Sequence, residues 1–139
     1  MSQMRVLVPL CVSLASLAFV GSTPGKPAAD VVVVKLKPVD HSGVSGTATL
    51  TRLTGDRTRV VIVLDKRVPG KLPAHLHFGP CKVLTSDIKA GLNDLVRGRS
   101  VTTLDLPTWT EIRHTTISVH VHVPSFVVIA CGDLPRKSS

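Results

Sequence analysis

Six histidines occur in this chain of 139 residues, and four of them fall in two H-x-H pairs. His75 and His77 lie in "LPAHLHFGPC", and His120 and His122 in "TISVHVHVP". Neutral imidazole binds zinc and copper, with the metal about 2 Å from the nitrogen. Residues two apart on a strand share a face and lie about 6.6 Å apart, so both rings of a pair can converge on one ion. An all-imidazole set suits copper or zinc, and copper in a tetragonal nitrogen field is redox-active. One H-x-H alone is ordinarily two polar residues on a wet strand face. Two such pairs in a small domain make a stronger case for a metal, provided the segments carrying them meet.

Those segments alternate apolar and polar residues with a period of two. "VVVVKLKP" (Val31 to Pro38) sets Val32, Val34 and Leu36 opposite Lys35 and Lys37. "GVSGTATLTRL" continues the pattern, and Thr54-Gly55-Asp56-Arg57 is a turn into a partner strand, Thr58 to Leu64. Asp65 to Pro73 is expected as a loop, and Ala74 to Phe78 as a short strand. From Gly79 to Arg99 the pattern weakens, and this stretch is expected as a packed loop with at most one helical turn. Val101 to Leu106, Thr115 to Val123 and Ser125 to Ala130 are three more β-rich runs. Six or seven short strands without an amphipathic helix predict an all-β antiparallel sandwich or flattened barrel. In the segment Thr115 to Val123, Ile117, Val119, Val121 and Val123 face the core, so His120 and His122 face outward.

The first residues bear on the compartment. Arg5 precedes an apolar run from Val6 to Val20, broken by Pro9, Ser13 and Ser16, and small residues follow at Ala18, Gly21 and Ser22. The pattern predicts a signal peptide over residues 1–22, cleaved after Ser22 in preference to Ala18, and one domain over residues 23–139. The run is shorter than the roughly 18 or more apolar residues a membrane anchor needs, so no membrane span is expected after cleavage. Cys11 would leave with the leader. Cys81 and Cys131 would remain, an even count that favours one disulfide in a secreted or periplasmic protein. Such a bridge closes a loop of about 50 residues, for which chain entropy predicts about 4 kcal/mol of stabilisation.

Lys and Arg number 17 against 9 Asp and Glu, a net charge of +8. The basic residues are scattered in pairs such as Lys35 and Lys37, Arg57 and Arg59, and Arg97 and Arg99. Such a surface draws anions. No Tyr occurs, and Phe78, Phe126 and Trp109 are too few for a base-stacking platform, so nucleic acid is not an expected partner. No Gly-x-Ser-x-Gly elbow is present, and Asp94, Asp105 and Glu111 read as solvated carboxylates. No catalytic residue is assigned.

In order and approximate spacing, "GVSGTATL", "PAHLHFGPC", "ISVH" and "ACGDL" resemble secreted copper/zinc superoxide dismutase-like proteins and related bacterial domains similar to the chordin repeat. The resemblance spans Val31 to Leu134. It implies a Greek-key β-sandwich, a disulfide from Cys81 to Cys131, and copper held by His75, His77 and His120. His122, His114, His41 or water would complete the coordination, and superoxide or another small anion would be the ligand. The chain also departs from that family. No histidine occurs between Cys81 and His114, so the zinc loop and its bridging imidazole are missing and zinc is not expected. Val128 stands three residues before Cys131, where those enzymes carry an arginine that attracts superoxide. The expectation is a copper-binding domain that is a poor dismutase or none. The alternative is a metal-free extracytoplasmic module recognising a protein partner or an anionic surface.

Overall fold

The period-two alternation becomes eight strands in the computed structural model, which describes residues 30–105 and 108–136. The expected signal peptide lies outside the described residues. In chain order the strands are β1 (Val31–Pro38), β2 (Gly46–Arg52), β3 (Thr58–Leu64), β4 (Lys71–Phe78), β5 (Ile88–Val96), β6 (Arg99–Leu104), β7 (Ile117–His122) and β8 (Val128–Asp133). One short helix, α1 (Thr108–His114), sits between β6 and β7. The strands close into an antiparallel barrel in the order β1-β2-β3-β6-β5-β4-β7-β8, a Greek-key connectivity. No helix among the described residues is long and apolar enough to cross a membrane.

Each strand turns one face inward. Val32, Val34 and Leu36 of β1, Ala48 and Leu50 of β2, Val60, Ile62 and Leu64 of β3, Leu72, Ala74 and Leu76 of β4, and Val119 and Val121 of β7 form one core. Fully burying a Leu or Ile side chain stabilises by roughly 1.5–3 kcal/mol, so this set fixes which face of each strand is inside. Leu76 is wholly buried, and that holds its neighbours His75 and His77 on the outer face.

Four elements differ from the sequence expectation. Ile88–Val96 is a strand, although Gly91, Asn93 and Asp94 are poor strand formers and only Leu95 within it is buried. Pairing along β4 imposes the extended form. At the β6 end, Arg97 and Gly98 both have positive φ, the signature of a two-residue hairpin loop. Beyond that hairpin β5 and β6 spread apart, and Asn93 bridges them: its amide donates to Thr102 Oγ1 at 2.8 Å and its Nδ2 to the Val101 carbonyl at 2.7 Å. Helix α1 forms because Trp109 and Ile112, three residues apart, bury on one side; seven residues would not stay helical alone. β8 begins at Val128 rather than Ser125, because Val123 to Val127 forms a turn closed by Val123 and Val127 backbone bonds. β4 begins at Lys71 rather than Ala74, so the expected loop ends before Pro73, which lies inside the strand where the register against β5 shifts and its missing N–H is tolerated.

β8 crosses β1 closely at Gly132, where an added Cβ would lie 2.6 Å from the Lys35 carbonyl oxygen and from Val34 Cγ1. Gly132→Ala is therefore expected to destabilise by about 1–3 kcal/mol, as overpacking does, read as a lower denaturant midpoint. An unchanged midpoint would show that the two strands are not so tightly apposed.

Candidate metal centre

β4 and β7 are neighbours because the Greek-key crossover lays β7 between β4 and β8. In their antiparallel register His75 stands opposite His120, Leu76 opposite Val119, and His77 opposite Ser118. Opposed residues share a face, so with Leu76, Val119 and Val121 in the core all four histidines project outward together. They are not wet. The loop between β4 and β5 and the turn between β7 and β8 fold over them, leaving His77, His120 and His122 buried and His75 half-buried at one side of a cleft of about 280 Å³.

Ring centroids of His75 lie 5.6 Å from His77 and 5.0 Å from His122, and His77 and His122 are 5.6 Å apart. One ring nitrogen from each of His75, His77 and His122 falls within 4.8 Å of the others. Two backbone carbonyls fix which nitrogens are free. His77 Nδ1–H donates to the Thr85 carbonyl at 2.8 Å, and His122 Nδ1–H donates to the Phe126 carbonyl at 3.0 Å. The Nε2 lone pairs of both rings are then left buried with no partner, as is Nδ1 of His75. His120 stacks on His77 with centroids 4.0 Å apart and planes 13° from parallel. Its Nε2 meets Ser118 Oγ at 3.0 Å, and its Nδ1 is also buried without a partner. Buried polar atoms are nearly always paired, so four orphaned imidazole nitrogens on one patch are the chemistry of a cation site. A carbonyl behind each of two ligating rings is the usual outer support of a metal-bound histidine.

All four sequence-predicted histidines thus share one cleft. The compact triad is His75, His77 and His122, while His120, which the motif comparison put in the ligand set, stands behind His77 as a fourth. His41 follows β1 in an exposed turn and His114 ends α1; neither lines the cleft. Val128 does line it, and no Lys or Arg stands among the described lining residues. The Thr85 and Phe126 carbonyls carry no signal in sequence, since every residue type has one. Cys81 and Cys131 form a disulfide with Cα atoms 5.8 Å apart, and Cys131 is the register partner of His120 on β8. The Cys81 amide donates to Asp133 Oδ1 at 2.7 Å, a second tie between the β4–β5 loop and β8.

Burial is the main force on the charge of these rings. It lowers the pKa of His75, with His122 adding and Asp94 opposing, and that of His77, where the Thr85 carbonyl opposes. His120 is pushed down from 6.5 to about 4 by burial and then by the His77, His122 and His75 rings. An unfolded chain protonates this histidine near pH 6.5, the folded one only near pH 4, so proton uptake between those limits favours unfolding. The metal-free protein should hold full stability above about pH 6.5 and lose roughly 3 kcal/mol from His120 alone as pH falls toward 4. Denaturant midpoints measured across that window check it; a flat profile would mean that the ring is not held neutral.

No protein-family model and no curated protein matches the sequence. Among solved structures, a mutant of superoxide dismutase 5 from Candida albicans is similar, with 15% identity over 78% of this chain and 93% of that chain and a TM-score of 0.56. At that identity the likeness concerns the fold, and it is the fold that brings strands β4 and β7 side by side: this chain is an eight-stranded antiparallel barrel like that of a superoxide dismutase.

Proposed function

We propose that the protein is an extracytoplasmic copper-binding domain on a dismutase-type barrel, holding one ion through His75, His77 and His122 with His120 as a fourth donor. The observation that carries this reading is the set of four buried, unpartnered imidazole nitrogens on histidines that line one cleft. Neutral nitrogen donors with no thiolate or carboxylate among them favour copper over calcium, magnesium or manganese. Lowered pKa values at His75, His77 and His120 keep those rings unprotonated at neutral pH, so little is lost to proton release when an ion binds. The copper would supply one-electron redox chemistry. The chain's own residues hold the rings in fixed tautomers, shield them behind the β4–β5 loop, and leave His75 open to the cleft. The signal peptide expected over residues 1–22 and the disulfide support a working place outside the reducing cytosol.

Rapid superoxide dismutation is not part of this proposal. Val128 lines the cleft where the resembling enzymes carry an anion-attracting arginine, and the β4–β5 loop contains no histidine to hold zinc. Titration of the mature domain with Cu(II), followed by electron paramagnetic resonance at one equivalent, tests the reading. One tight site with couplings from three or four nitrogens is expected. Binding no better than that of an unfolded control would overturn it and leave the metal-free module.

A further inference from the structure

Two bulky residues at the mouth of the histidine cleft are held in a backbone conformation that such side chains avoid. Leu84 has φ of 48° and Phe126 has φ of 63°. For a bulky residue a positive φ is a genuine outlier, and outliers of this kind gather at ligand sites. Neither is compensated by burial: Leu84 is 37% exposed and Phe126 67%. The left-handed turn itself has a use, since it lies at or beside the Phe126 and Thr85 carbonyls that receive His122 and His77. Glycine would make the same turns without strain, so the turn alone does not explain leucine and phenylalanine there. Their side chains do something at the mouth.

What surrounds them defines the ligand. Leu84, Ile88, Phe126 and Val128 form apolar walls over a floor of imidazole nitrogens, and Phe126 stands edge-on to His122 with ring centroids 6.4 Å apart. Beyond burial, the floor rings act mainly on one another, with His122 opposing protonation of His75 and His77, while Asp94 and Asp87 exert a smaller opposite pull. Apart from a bound ion's own charge, no Lys or Arg among the described lining residues draws a small anion into the cleft. A dry apolar cavity of about 150 Å³ accommodates one benzene, so the roughly 280 Å³ here has room for one substituted ring together with an ion. We propose that Leu84 and Phe126 select the ligand of this site: a neutral, single-ring aromatic molecule that offers one donor atom to the metal and its flat face to Phe126. The inference rests on the copper reading above.

The test uses the copper-loaded protein with 4-methylpyridine as the neutral ring and azide as the small anion, followed by electron paramagnetic resonance and visible absorption. The wild type should bind 4-methylpyridine, with azide as the reference probe held by the ion's own charge alone. The Leu84→Gly/Phe126→Gly double variant should keep its copper and a thermal midpoint equal to or above the wild type, because glycine relieves the strained turns. It should lose about tenfold in 4-methylpyridine affinity, the size of a lost aromatic contact with its apolar wall, and change azide binding by less than about twofold. Failure of the wild type to bind 4-methylpyridine, or equal losses for both probes in the variant, would overturn the inference while leaving the copper site standing. If the double variant fails to fold, the strain argument is wrong for the pair, and Phe126→Gly alone must then show the selective loss. Absence of a copper signal in the wild type would remove the metal reading and this inference with it.

Discussion

His122→Gln is expected to lower Cu(II) affinity by more than about a hundredfold, while His120→Gln, which removes a fourth donor outside the compact triad, lowers it by roughly 10–100-fold, no more than the loss of an outer support of a ligand. The asymmetry follows from the cleft. A ring nitrogen of His122 is one of three within 4.8 Å of one another, and the ring is already oriented by the Phe126 carbonyl. His120 lies outside that triad, stacked on His77 and tied to Ser118. Losing it removes the stack that holds His77 flat and the fourth free nitrogen, but leaves the triad in place. His75→Gln and His77→Gln should match His122→Gln. Glutamine is polar and near in size, and its far-ultraviolet spectrum and denaturant midpoint will show whether each variant is folded. Titration of the four variants side by side decides the ligand order. Equal small losses at all four positions would mean that the histidines do not share an ion.

Removing the bridge by Cys81→Ala/Cys131→Ala should cost about 4 kcal/mol, or a fall of about 15–30 °C in thermal midpoint. The bond spans 50 positions and encloses β5, β6, α1 and β7, so its loss returns a large loop's freedom to the unfolded chain. A second effect distinguishes it from a purely entropic link. The β4–β5 loop that begins beside Cys81 supplies the Thr85 carbonyl to His77, and the other tie from this loop to β8, Cys81 N–H to Asp133, is exposed. Copper affinity should therefore fall with stability, toward about tenfold, as it does when an outer support of a ligating histidine is lost. Calorimetry and copper titration of the one variant give both numbers. Unchanged stability would show that the two cysteines are not bonded in the protein, and mapping of the non-reduced peptides would confirm it.

Much of the fold was legible in the alternation of residues. β1, β2, β3 and β7 lie within about three residues of their expected bounds because each buries at least two apolar residues on one face, and burying that face leaves a single register. β5 was not legible. Its residues have weak strand preference and little burial, and its extended form comes from the ladder against β4, which is set by residues elsewhere in the chain. Helix α1 was missed for a like reason: it exists only because Trp109 and Ile112 find the barrel.

By itself, then, the sequence determined that His75, His77, His120 and His122 leave the core, since Leu76, Val119 and Val121 between and beside them must enter it. Period two settles a face but not a neighbour. Which strand lies against β4, and hence whether the two pairs meet, was decided by the Greek-key crossover; which of His120 and His122 joins the triad was decided by the register of β7 against β4 and by the turn that brings the Phe126 carbonyl onto His122. These are contacts between residues tens of positions apart, and their free energy belongs to the closed barrel as a whole rather than to any local run of the chain.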